Sequence, residues 1–346
     1  MRQLLKFCFG LAAAALCLEL VLRLLPVSTS TLSGYHFDPR LLSYPAHHRF
    51  VISTGWDLEN AQHHLTNNFG FVSDIDFVPD PQAIALVGDS FVEASMLPAD
   101  ERLDRRMHEL TQRSVYALGA PGSGLLDYAE RMRFAADRFG IKTFVVILEE
   151  GDVLQSFCGS GQVHGRCVDP DSLQSLDYQQ APASRLKQLL RHSALMQYLV
   201  SQLKLDPIAW VGDLRQSPRP LTPATATTAP AVDRSNVVDA VVQEFFVKTS
   251  LCKNARCILV FEDRTIAGFK RNAMQQLGRD RLLGLAQMHG IQVLDLGPEL
   301  RDFTTQTGLS LAVSPRDRHW NRAAVEKVAS AVARELNSPQ KPPVQE

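Results

Sequence analysis

Ala83-Ile-Ala-Leu-Val87 runs without a polar residue and stops at Gly88-Asp89-Ser90. A short unbroken apolar run closed by glycine marks a strand buried on both faces, as in parallel sheets. Downstream, Leu103 to Leu110 has helical spacing, and Ser114-Val-Tyr-Ala-Leu118 is a second strand ending in Gly119. A helix runs through Phe139 and stops at Gly140, and Thr143-Phe-Val-Val-Ile-Leu148 is a third strand. This β-α-β-α-β alternation predicts right-handed crossovers and a parallel sheet covered on both faces.

The alternation then pauses. Residues 151–183 are loop-rich and hold Cys158 and Cys167, Arg185 to Leu203 reads as a helix, and residues 214–232 are a Pro/Thr/Ala-rich linker of disordered composition. It resumes with a helix from Asp233 to Lys248, a strand at Cys257-Ile-Leu-Val-Phe261 and a helix over 270–289. A fifth strand, Gln292-Val-Leu-Asp295, and a last helix from Asn321 to Leu336 complete it. The reading is therefore one α/β domain over 81–337 with an insertion at 151–232, and a tail at 338–346. An irregular region at 26–80 precedes the domain.

Residues 1–25 stand apart. Arg2 and Lys6 precede an apolar run from Phe7 to Leu25, interrupted by Gly10, Glu19 and Arg23. As a helix, those 19 residues extend roughly 28 Å, near the hydrocarbon thickness of a bilayer. The basic flank predicts a cytoplasmic N-terminus, with residues 26–346 exported. An uncleaved anchor in the cytoplasmic membrane fits better than a cleaved signal peptide, because no clear A-x-A site follows the run. Glu19 and Arg23 are four apart and can pair; they either reach interfacial water or meet a membrane partner.

Balanced charge, 36 basic against 37 acidic residues, gives no reason to expect a nucleic-acid partner. Of six cysteines, Cys8 and Cys17 lie in the apolar run. Cys158/Cys167 and Cys252/Cys257 are short-range pairs, each able to close a small loop in an oxidising compartment or to remain free thiols. Neither pair has C-x-x-C spacing, and His47/His48 and His63/His64 lack HExxH spacing, so no metal or other cofactor is expected.

The chemistry sits at strand ends. Ser90 follows the first strand and opens a helix, so its hydroxyl lies near backbone N–H donors able to stabilise an oxyanion. The plain alternative is a helix cap. Asp317-Arg-His-Trp-Asn321 precedes the last helix and holds a carboxylate two residues from an imidazole, the partners a serine alcohol needs. The plain alternative is that Asp317 caps that helix and His319 is a surface residue. Trp320 could stack on a sugar face, and Asp89 and Asp152 are further candidates for substrate contact.

Ala85-Leu-Val-Gly-Asp-Ser-Phe-Val-Glu93 resembles the first block of the SGNH/GDSL hydrolase superfamily. Tyr116-Ala-Leu-Gly-Ala-Pro-Gly-Ser-Gly124 is similar to its second block and Asp317-x-His-Trp-Asn321 to its last. The Asp-x-His-Trp spacing is nearer to the polysaccharide O-acetylation branch, such as the alginate acetylation proteins. Thr66-Asn-Asn-Phe-Gly-Phe71 and Glu19-Leu-Val-Leu-Arg23 resemble its membrane-anchored bacterial members. The resemblance implies a three-layer α/β/α, flavodoxin-like domain. It implies Ser90 as nucleophile, His319 as base and Asp317 as its orienter, with oxyanion donors at Ser90, Gly122 and Gly151. One block departs: Glu149-Glu150-Gly151-Asp152 stands where the family has Gly-Asn-Asp, so the oxyanion-hole asparagine is replaced by Gly151. The implied function is an acyl-ester hydrolase acting on an acylated glycan or small ester of the cell envelope, in the periplasm or outside. The alternatives are an O-acetyltransferase for an exported polysaccharide, working with a membrane acyltransferase, and a catalytically weak glycan-binding or assembly protein.

Overall fold

The structure is a computed structural model that describes residues 2–29, 32–160, 165–177, 190–203, 205, 234–262 and 270–338. Contacts divide the chain into two units. One comprises Met1–Thr31, Phe50–Ala61 and Pro182–Asp233; the other comprises Leu32–Arg49, Gln62–Ala181 and Arg234–Glu346.

In the first unit, helix α1 (Arg2–Arg23) is long and apolar enough to cross a membrane. Of the described residues of the insertion, 190–203 and 205 belong with it, and 151–160 and 165–177 belong with the α/β unit. Of the helix expected over 185–203, the first five residues lie outside the described residues. The rest is a short α-turn at Ala194–Met196 that continues as a π-helix over Gln197–Gln202. The linker at 214–232 and the tail beyond Ser338 also lie outside the described residues.

The second unit is built on five parallel strands: β1 (Ile84–Gly88), β2 (Val115–Gly119), β3 (Thr143–Leu148), β4 (Arg256–Phe261) and β5 (Gln292–Asp295). Their order is β2-β1-β3-β4-β5. This is the flavodoxin-like order, in which the sheet switches direction between β1 and β3 and ligands bind beyond the strand ends there. β1, β2 and β3 are buried along their whole length, which is why they read as unbroken apolar runs.

Helices cover both faces: α2 (Ser90–Glu93), α3 (Leu103–Thr111), α4 (Leu125–Phe139), α5 (Asp152–Gln155), α6 (Ser235–Lys248), α7 (Ala273–Met288), α8 (Gly297–Thr307) and α9 (Arg322–Asn337). Side chains of β1 alternate between two apolar layers. Ala85 and Val87 join Met132 of α4, Val241 of α6 and Leu282 of α7. Ile84 and Leu86 join Met107 of α3, Leu300 of α8 and Val328 of α9. The three-layer α/β/α architecture expected from the sequence is thus present.

Three elements differ from the sequence reading. Residues 26–80 are not irregular throughout, because Arg49–Thr54 and Glu59–Leu65 pair as a two-stranded sheet. The second of these strands buries only His64 and so shows no apolar alternation. Helix α8 was not foreseen; it buries only Gly297 and Leu300, too thin a stripe to show a period. Within the loop-rich stretch, Arg166–Val168 and Ser175–Asp177 pair as short antiparallel strands.

Cys167 is therefore a buried strand residue, which corrects its placement in a loop. Three residues are too few to show a period in the sequence. Its sulfur is bonded to Cys158, and that of Cys257, buried in β4, is bonded to Cys252. Of the two readings of these cysteines, the disulfide holds and the free thiol falls for both pairs. Cys8 and Cys17 are free and exposed.

Candidate active site

Asp89, not Ser90, caps the helix that follows β1: its side chain accepts the Phe91 N–H over 2.9 Å. Ser90 is therefore the first helical residue, where backbone N–H groups have no intrahelical acceptor. Its hydroxyl is not spent on a cap. It lies 2.8 Å from His319 Nε2. The other ring nitrogen, Nδ1, lies 2.6 Å from Asp317 Oδ1, which also accepts the His319 backbone N–H over 3.1 Å.

Asp317 and His319 occupy a short strand, Asp317–Trp320, paired antiparallel with Ala312–Ser314. The last helix is capped by Asn321, whose side chain accepts the Ala324 N–H, so Asp317 is not its cap. Burial opposes ionisation of Asp317, but the hydrogen bonds and charge of His319 outweigh it and hold the carboxyl below its ordinary value. The His319 ring packs 4.9 Å from that of Phe91, in the same helix as Ser90.

The register of β1 against β2 sets Gly88 beside Gly119. A Cβ on Gly119 would lie 2.4 Å from the Glu93 nitrogen and 2.8 Å from the Asp89 oxygen, so only glycine admits the turn that carries Ser90 this close. The loop after β2 carries Gly122, which has φ +71°. Arg131, fully buried on α4, ties the two strand ends together. It donates to the Gly88 carbonyl over 2.7 Å and to Ser123 Oγ over 2.8 Å. Sequence reasoning missed it, because a lone arginine in a helix carries no signal that it is buried.

The segment after β3 is acidic. Asp152 is wholly buried and both of its oxygens are taken, Oδ2 by the Glu149 N–H at 2.8 Å and Oδ1 by the Tyr128 hydroxyl at 2.9 Å. It is scaffold, which corrects its reading as a substrate contact. Asp89, spent on its cap and buried, is corrected likewise. Cys167, buried and bonded to Cys158, also serves the scaffold and has no thiol to offer a substrate. Burial, with Glu149 and Asp89 alongside, pushes the Asp152 carboxyl well above the usual range. Asp89, Glu149 and Asp152 bring carboxylate oxygens within 4.8 Å of one another. At Gly151 a Cβ would meet Glu149 Oε1 at 2.7 Å and Gln155 Nε2 at 2.8 Å. The Gln155 amide, itself donating to Glu149 Oε1 over 2.8 Å, thus fills the space an asparagine at 151 would enter.

Trp320 is buried and packs edge-on to Phe91 at 5.0 Å. It does not offer a face for a sugar; its remaining surface lines a cavity of about 640 Å³ with Leu300, Thr304, Ala312, Ser314 and Arg318. Ser90 and His319 do not line that cavity. Of the paired histidines, His64 is buried. Its Nε2 lies 2.6 Å from the Ser95 carbonyl, and burial lowers its pKa to about 4.

Neither a family model nor a curated protein sequence matches the chain. Several solved structures resemble it. A member of the lipolytic G-D-S-L family from Veillonella parvula is 12% identical, with 74% of this chain and 97% of that one covered at a TM-score of 0.40. A lipase/acylhydrolase from Enterococcus faecalis is 11% identical, with 77% and 100% covered at a TM-score of 0.39. The acetyl xylan esterase AlAXEase is 13% identical, with 73% and 99% covered at a TM-score of 0.39.

Proposed function

We propose that this chain is a serine acyl-ester hydrolase acting on an acylated glycan or small ester of the cell envelope. The observation that carries the reading is the Ser90–His319–Asp317 relay, with 2.8 Å and 2.6 Å links at the switch point of the sheet. Asp317 accepts Nδ1–H and so leaves Nε2 to receive the serine proton. Ser90 Oγ then attacks the ester carbonyl carbon while its proton passes to Nε2. The oxyanion is held by the Ser90 amide and by the amide of Gly122. Collapse breaks the bond to the alcohol, which leaves with the proton from His319. Water, deprotonated by the same nitrogen, then releases the acid and frees Ser90.

Glu149 places a carboxylate beside Gly151, where an oxyanion would then gain least, so the intrinsic turnover is low. In this reading α1 crosses the cytoplasmic membrane and the α/β unit works on the exported side, where the two disulfides are stable.

A fluorophosphonate probe tests the site. It is expected to label the wild-type chain at Ser90, with labelling absent in Ser90→Ala and slowed by orders of magnitude in His319→Ala. A folded wild-type protein that the probe leaves untouched would overturn the enzymatic reading.

A further inference from the structure

Glu19 lies one helical turn inside the end of α1, yet its carboxylate is fully engaged by another part of the same unit. Oε2 accepts the Ser193 hydroxyl at 2.8 Å and the Leu195 N–H at 2.9 Å. Oε1 accepts the Ala194 N–H at 3.0 Å and pairs with Arg23 at 2.7 Å. Arg23 also reaches the His192 carbonyl at 3.4 Å. A carboxylate of α1 therefore holds the start of the helical run Ala194–Gln202.

That attachment fixes depth. At about 1.5 Å per residue, α1 is roughly 33 Å long, close to the hydrocarbon thickness, and Glu19 lies about 6 Å inward of Arg23. Wherever α1 enters a bilayer, residues 193–195 enter to the level of Glu19. The polarity of the run agrees with that position, because it is inverted relative to a water-facing helix. Gln197 and Gln202 are buried. Gln202 accepts the Ser28 N–H at 2.9 Å and donates to Ser53 Oγ and to the Gly55 carbonyl, both at 2.9 Å. Meanwhile Val200 is 40% exposed and Leu205 50% exposed. Trp56 is 68% exposed, and its carbonyl accepts the Tyr198 hydroxyl at 2.7 Å. Aromatic rings with one polar end favour the boundary between headgroups and acyl chains.

We infer that the run Ala194–Gln202, with Leu205 and Trp56, is a lipid-facing platform lying in the interface of the leaflet that α1 leaves. The inference rests on the membrane reading of α1. A glutamate in an apolar helix is costly in hydrocarbon unless it is satisfied; here the platform supplies its hydrogen bonds. The apolar side of the run then meets acyl chains continuous with those around α1.

The test uses the full chain in phosphatidylcholine vesicles, with Cys8→Ser and Cys17→Ser removing the free thiols. An environment-sensitive fluorophore is attached at Val200→Cys or, as a control for α1, at Leu11→Cys. Lipids carrying a nitroxide near the headgroup or at the acyl-chain end serve as quenchers. The expected result is quenching at 200 by the shallow nitroxide and at 11 by the deep one. Quenching at 11 with none at 200 overturns the platform and leaves the membrane reading of α1 standing. So does a fluorophore at 200 that reports an apolar environment but is untouched by either lipid, since a protein then covers that face. Absence of quenching at both positions overturns the membrane reading and the platform with it. A third variant, Glu19→Ala, is expected to abolish quenching at 200 while preserving it at 11.

Discussion

The Arg131 guanidinium donates to the carbonyl oxygen of Gly88 over 2.7 Å, joining the α4 helix to the last residue of the strand that delivers Ser90. A second nitrogen of the same group holds Ser123 Oγ, beside Gly122. The proposed nucleophile and the proposed second oxyanion donor are therefore set against each other by one buried cation. Ser123→Ala removes a single arm and leaves that buried nitrogen unpartnered, at a stability cost of about 1–3 kcal/mol. The expected outcome is a several-fold drop in kcat with KM little changed, read on a small activated ester. An unchanged kcat, with only the melting temperature lowered, would reduce Arg131 to a scaffold residue.

Gly151 and Glu149 limit the rate in the proposed chemistry. At Gly151 φ is −95°, open to any residue, and a new Cβ there meets only the ends of the flexible side chains of Glu149 and Gln155. Gly151→Asn is thus expected to fold and to raise esterase turnover by about one to two orders of magnitude. Glu149→Gln, which removes a negative charge without changing shape, should act in the same direction more weakly. Turnover that falls in both variants would show that the acidic wall assists the reaction.

Asp317→Asn should lower kcat by about two to four orders of magnitude, because the amide favours the wrong tautomer of His319. The same residue carries a pH signature. Its folded-state pKa lies below the ordinary value, so it contributes stability above that value and loses it as pH falls through the folded one. Melting temperatures of the wild type should therefore drop more steeply below about pH 4 than those of Asp317→Asn.

Glu93 gives the opposite sign. Burial raises its pKa from 4.5 to about 7, against the pull of a Ser95 hydrogen bond and the charges of His319 and Arg131. The folded state binds this proton more tightly, so its contribution to stability is lost as pH rises from 4.5 to about 7, by roughly 3 kcal/mol. Glu93→Gln is expected to match the wild type at pH 5 and to melt a few °C higher at pH 8. A gap that does not widen with pH would place the ionised form in a better-solvated position.

The legible parts of the sequence are those where burial is two-sided. Ile84–Gly88 and Thr143–Leu148 are wholly interior, so composition alone reveals them, and Ser90 follows the first of them; His319 was legible instead from the Asp317-x-His-Trp-Asn321 pattern before the last helix. The strand Glu59–Leu65 was invisible because it turns one residue inward. The strand that buries Cys167 was invisible because it is three residues long. Arg131 and Glu93 were invisible for another reason. Whether a charged side chain is interior depends on partners dozens of residues away, and nothing local encodes that. Asp152 was misread on the same ground: its carboxylate faces Tyr128, 24 positions earlier, rather than a ligand.

The 229 residues between Ser90 and His319 also set a timetable. Synthesised at about 5 to 20 residues per second, the chain carries its proposed nucleophile for roughly 10 to 45 s before the proposed base exists. Through that interval Ser90 is an ordinary alcohol. On the proposed mechanism, any product cut short before Asp317 stays inert however well its first strands pair. The proposed reactivity is thus the last property the nascent chain acquires, gained only once the short strand before α9 has been made.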